Sequence, residues 1–108
     1  MSQGTNLIVV LTTFSEEEKA RAVAKELLES KLAACCTLVK GASLYWWKDN
    51  LTEDKEVVML IKTQLSLYSD LENKLREVHP YEVPEILALP VISVYKDYSD
   101  WIEEVTRN

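Results

Sequence analysis

The apolar residues of this chain change spacing in a set order, and that order restricts the fold more than any single residue does. "LIVVLTT", residues 7–13, is a β-branched run with the length of a strand buried on both faces. "SEEEKARAVAKELLESK" then switches to helical spacing, with Ala20, Val23, Ala24, Leu27 and Leu28 on one face. Ser15 and Glu18 have the separation of a capping box. "AACCTLVKGASLYWW" returns to strand character, and Gly41 in its middle suggests a bulge or bend. The polar segment "KDNLTEDK", residues 48–55, reads as a turn before the strand "EVVMLIKT", so the two strands pair as a long hairpin.

The second half repeats the alternation. "SLYSDLENKLREVH" places Leu67, Leu71, Leu75 and Val78 on one helical stripe, with Ser66 as its cap and Pro80 as its stop. "EILALPVISVY" is a fourth strand, and Pro90, which has no amide to donate, assigns it to a sheet edge or a bulge. "DYSDWIEEVTR" closes the chain as a short helix with Trp101, Ile102 and Val105 on one side. Strand, helix, strand, strand, helix, strand is the ferredoxin-like βαββαβ order of α+β folds: a four-stranded antiparallel sheet with two helices on one face, here with an extra C-terminal helix. A chain of 108 residues fits one such domain, residues 1–108.

Two helices leave one sheet face without cover. In "SLYWWK" successive side chains point to opposite faces, so Tyr45 and Trp47 share one face while Leu44 and Trp46 share the other. Aromatic surface on both faces of one hairpin predicts self-association through Tyr45, Trp46 and Trp47.

Charge and composition narrow the partners. A formal net charge of -6, with no Lys/Arg cluster, opposes nucleic acid and anionic membranes as partners. The opening "MSQGTNLIVVLTT" lacks a basic flank and a long apolar stretch, so a cytoplasmic location is expected. Adjacent Cys35 and Cys36 match neither an ordinary disulfide nor a zinc spacing, and strand alternation buries one of them. There is no Gly-rich phosphate loop, no paired-histidine motif and no Ser/His/Asp set in a recognisable context. The expectation is a non-enzymatic protein without an organic cofactor.

"KLAACCTLV", "SLYWW", "LIKT", "HPYEVPEI" and "DYSDW" occur in the order and spacing of the CutA family of divalent-cation tolerance proteins, and the resemblance runs from about Asn6 to Val105. It implies a ferredoxin-like subunit in a homotrimer whose long hairpins extend sheets between neighbours. It also implies a role in the response to divalent metal ions, with copper(II) or another divalent cation as the bound species. A PII-like signalling protein holding a small ligand between subunits is the alternative that the architecture suggests.

The positions that match copper ligands of bacterial relatives are Thr12, Val78 and His79, of which only His79 is a metal-ligand type. His79, the only histidine, has three readings. It is a helix terminus whose donors meet free carbonyls, a metal ligand with Glu82 or Glu85, or part of a polar ligand-binding site. Glu56, Lys62, Tyr81, Glu85 and Trp101 form a second candidate group, either a ligand-binding cleft at a subunit boundary or a set of interface contacts. The turn departs from the family at Asp49 and Asn50, where relatives often carry Gly and Lys.

Overall fold

A computed structural model describes residues 4–107. The elements are β1 (Leu7–Phe14), α1 (Glu17–Glu29), β2 (Cys35–Trp47), β3 (Asn50–Gln64), α2 (Tyr68–Val78), β4 (Leu87–Pro90) and α3 (Lys96–Val105). The strands form one antiparallel sheet in the order β2-β3-β1-β4, the ferredoxin-like arrangement that the sequence predicts. β1 lies inside the sheet because its alternating Ile8, Val10 and Phe14 are buried with Val57, Met59 and Ile61 of β3. Ala20, Val23, Ala24 and Leu27 of α1, with Leu71 and Leu75 of α2, close this face into the core. The opposite face of β1 is less covered, with Val9 and Leu11 only half-buried.

Several local expectations are corrected. Ser15 does not cap α1. The helix begins one residue later with Glu16 as its N-cap and no side-chain cap bond, because β1 continues to the buried Phe14 and Ser15 makes the corner. Leu28 is exposed rather than on the buried stripe. α1 ends where Lys31 takes a left-handed φ of 60°, with Leu32 N–H bonding Leu27 O at 3.0 Å and Lys31 N–H bonding Leu28 O at 3.1 Å. That is a Schellman stop without its usual glycine. Ser66 does not cap α2 either; it sits in a 3-10 turn, Leu65–Leu67, and Leu67 is the N-cap.

The hairpin is longer and more regular than expected. Its turn is only Lys48 and Asp49, both left-handed (φ 50° and 66°), as a two-residue type I′ connection requires, and Asn50–Lys55 belong to β3. Gly41 pairs directly with Glu56 within an unbroken register, so there is no bulge. From Val39 outwards β2 is largely exposed, and burial in β3 begins only at Val57, so the distal hairpin is an arm beyond the helical layer.

β4 is shorter than expected. Leu87–Pro90 pair with Ile8–Leu11 at the sheet edge, where Pro90 costs no ladder bond. Val91 N–H still donates to Leu7 O at 3.2 Å and Val91 O accepts from Thr5 N–H at 3.0 Å, whereas residues 92–95 have strand-like sequence but form no strand. In α3 only Ile102 is fully buried, against Leu7 and Ala34, with Val91, Val94 and Val105 around them. Trp101 is exposed and stacks on Tyr98, not beside Ile102.

Candidate functional site

The helix end at His79 is a hydrogen-bonded junction. His79 N–H closes α2 on Leu75 O at 2.8 Å, and extended geometry at His79 then leads into Pro80, as the residue before a proline requires. The ring is 7% exposed and stacks on Phe14, with centroids 4.3 Å apart. Nε2 lies 2.8 Å from the Thr13 carbonyl, and Nδ1 accepts the Tyr81 N–H at 3.1 Å. A carbonyl only accepts, so the proton resides on Nε2 and the imidazole is neutral with both nitrogens engaged. Burial lowers the His79 pKa, against smaller opposing effects of the Thr13 carbonyl and the Glu56 charge.

This geometry leaves His79 no free lone pair for a metal. The helix-terminus reading describes it better, with one change: its donor meets a β1 carbonyl rather than a helix carbonyl, and the ring is not charged. The other two matched positions do not help. Val78 packs against the core, and the Thr12 hydroxyl is buried without a partner. Among the described residues no group of three His, Cys, Asp or Glu side chains could hold a metal ion. The described residues of one chain therefore do not fit the copper site that the resemblance implies.

The second candidate group divides. Tyr81 follows His79 into reach of β3 and donates its phenol proton to Glu56 Oε2 at 2.8 Å. Burial first, and then the Glu56 carboxylate, push the Tyr81 pKa up to about 12, so it remains a donor. On the same sheet face Tyr45 donates to Asp54. Lys62 is six residues along β3 from Glu56, roughly 20 Å for an extended strand. There its ammonium meets Cys35 Sγ at 3.7 Å and the Thr37 hydroxyl. Trp101 stacks on Tyr98 at 5.6 Å. Glu85 and Glu82 are exposed. The fold thus joins Tyr81 to Glu56 and keeps Lys62 apart from them, while Glu85 and Trp101 make no hydrogen bond or ion pair with either among the described residues.

Thr37, Tyr98 and Asp54 were missed by sequence reasoning. Strand alternation in a two-residue hairpin would have placed Asp54 diagonally opposite Tyr45, and Thr37 beside Lys62. Cys36 is the cysteine turned to the core, where burial pushes its thiol up to about 12; Cys35 lies on the other face. On the arm, Trp46 is 73% and Trp47 58% exposed, on opposite faces, with exposed Leu44 and Leu51 beside Trp46.

Comparison with known proteins gives one consistent answer. Residues 8–105 match the family described as CutA1 divalent ion tolerance protein. The divalent-cation tolerance protein CutA of Pyrococcus horikoshii is 41% identical over 94% of this chain and 99% of its own length. The structure of CutA from Synechococcus elongatus superposes with a TM-score of 0.93 at 31% identity, covering 97% of this chain and 94% of that one. A periplasmic divalent cation tolerance protein CutA from Archaeoglobus fulgidus gives a TM-score of 0.91 at 31% identity, over 94% of this chain and 99% of that one. No helix among the described residues is long and apolar enough to cross a membrane. With the motifs, the strand order and these likenesses in agreement, the chain belongs to the CutA1 family of divalent ion tolerance proteins.

Proposed function

We propose that this chain is a non-enzymatic subunit of a cytoplasmic homotrimer that acts in the response to divalent cations, with copper(II) the first to test. The observation that carries the assembly is the arm, which presents Leu44, Trp46 and Leu51 on one face and Tyr45 and Trp47 on the other, all exposed. Each aromatic represents roughly 150–250 Å² of surface, and a patch of that size is not left in water. Among the described residues β2, with 13 residues, also has one long edge without a strand partner, which supports pairing between copies. The number three rests on the family resemblance. Two free cysteines side by side suit a reducing compartment. The divided candidate cleft gives the small-ligand alternative no advantage.

Sedimentation of the wild type, beside Trp46→Asp with its secondary structure checked, tests the assembly. A trimer that Trp46→Asp disperses is expected, and a 12.4 kDa monomer in the wild type refutes it. Calorimetric titration of copper(II) into metal-stripped protein tests the cation. Saturable heat is expected, unchanged in stoichiometry by His79→Ala, and the absence of heat with copper(II) and zinc(II) refutes cation binding.

A further inference from the structure

Among the described residues Lys62 has no carboxylate within ion-pair distance, and neither Asp54 nor Glu56 has a cation. Lys62 is held by a thiol and a hydroxyl, which orient an ammonium without neutralising it. Glu56 and Asp54 are held by the phenols of Tyr81 and Tyr45, which orient carboxylates without neutralising them. All three charged side chains lie on the sheet face away from α1 and α2. Between and beside the two ends that face is apolar, with Val58 and Leu60 half-buried and Val39, Leu87 and Leu89 exposed.

A surface with a cation at one end, carboxylates at the other and apolar residues between is complementary to itself when two copies are displaced along the strands. Covering it with a neutral or unrelated surface would strand an ammonium out of water with no counter-charge, which is strongly unfavourable. A second copy of this chain brings the needed carboxylate already oriented. We propose that Lys62 of one copy forms an ion pair with Glu56 of the next, so that this pair, rather than a small ligand, completes the face at each boundary. The inference rests on the self-association proposed above and deepens it: Lys62 and Glu56 act as a pairing code that sets the displacement of neighbouring copies, and the Tyr81 phenol aims the carboxylate.

Zero-length carbodiimide coupling of wild-type protein mixed from unlabelled and 15N-labelled chains, followed by peptide mass spectrometry, provides the test. A Lys62–Glu56 isopeptide joining a labelled to an unlabelled chain is expected, because roughly 20 Å of strand forbids that bond within one chain. Lys62→Glu and Glu56→Lys should each weaken association by about 100-fold or more, and the double variant should regain at least about tenfold of the loss. Circular dichroism verifies folding. If a charge reversal folds poorly, the uncharged double variant Lys62→Met/Glu56→Gln replaces it and should remain associated more tightly than Lys62→Met alone. A monomeric wild type overturns the self-association and this inference with it. An associated wild type that yields no such isopeptide, or whose single variants associate normally, overturns the ion pair alone. So does a double variant that recovers nothing.

Discussion

Thr12→Val should make this protein more stable. Thr12 is 0% exposed on the helix-facing side of β1, opposite Met59, and among the described residues its hydroxyl is a buried side-chain polar atom without a hydrogen-bond partner. An unpaired hydroxyl in such a site costs about 1–3 kcal/mol, and valine replaces it with a methyl on the same branched frame. Allowing for imperfect fit of the new methyl, the gain is about 1–2 kcal/mol. With a urea m-value of about 1–3 kcal/mol/M, the denaturation midpoint should rise by roughly 0.3–2 M at unchanged m. The assay is urea unfolding followed by far-UV circular dichroism at one fixed protein concentration, since association contributes to apparent stability. Thr12→Ser is the control: it keeps the hydroxyl, loses the methyl and should destabilise by about 1 kcal/mol. A lower midpoint for Thr12→Val, with Thr12→Ser neutral, would refute the reasoning by showing that the hydroxyl is satisfied in solution. The outcome also bears on the metal question, because a hydroxyl better replaced by a methyl is a packing position and not a ligand.

Two further predictions concern the ends of the helices. Lys31→Gly should raise the urea midpoint by the equivalent of about 0.5–1 kcal/mol, because glycine takes the left-handed φ of 60° at the α1 terminus without the Cβ penalty; no rise would mean that Lys31 is held by something beyond the Schellman bonds. His79 should make stability fall in acid. Its folded pKa lies below the ordinary 6.5, so below that pH the unfolded chain binds the proton more readily and stability declines until the folded pKa is passed. His79→Ala should remove that part of the pH dependence and cost about 2–4 kcal/mol at pH 7.5, since the Thr13 carbonyl and the Tyr81 amide both lose their partner. A variant with the wild-type acid profile would show that His79 titrates as a free imidazole.

The sequence carried the strand order and the two-sided arm because both depend on local spacing. Period-2 and period-3.6 patterns set the elements, and alternation alone put Trp46 and Trp47 on opposite faces. It misplaced the caps at Ser15 and Ser66, since the burial of Phe14 and the 3-10 turn at Leu65–Leu67 decide where those helices begin. The polar run after Trp47 looked like a long turn, yet Asn50–Lys55 pair fully with β2, because ladder bonds and the type I′ turn outweigh side-chain polarity on an arm open to solvent. The His79 junction was legible only in part. Pro80 announces the helix end, but the Phe14 ring and the Thr13 carbonyl that fix the imidazole come from 65 and 66 residues earlier in the chain.

The charged and apolar groups that one chain leaves unmet lie on one face of its surface, and they link the proposed cation role to the proposed assembly. The ammonium of Lys62, the carboxylates of Asp54 and Glu56 and the exposed Leu87 and Leu89 share the sheet face that α1 and α2 do not cover. Within the subunit, a cation at His79 would have to take Nδ1 from the Tyr81 amide or displace the proton that bonds Thr13, and either exchange sacrifices a buried hydrogen bond worth roughly 1–3 kcal/mol. At a boundary between copies the Asp54 carboxylate, aimed by the Tyr45 phenol and left over once Lys62 pairs with Glu56, would carry no such penalty. A cation that bound only at such a boundary would stabilise the assembled state by mass action, so the proposed cation response and self-association would be two readings of one equilibrium.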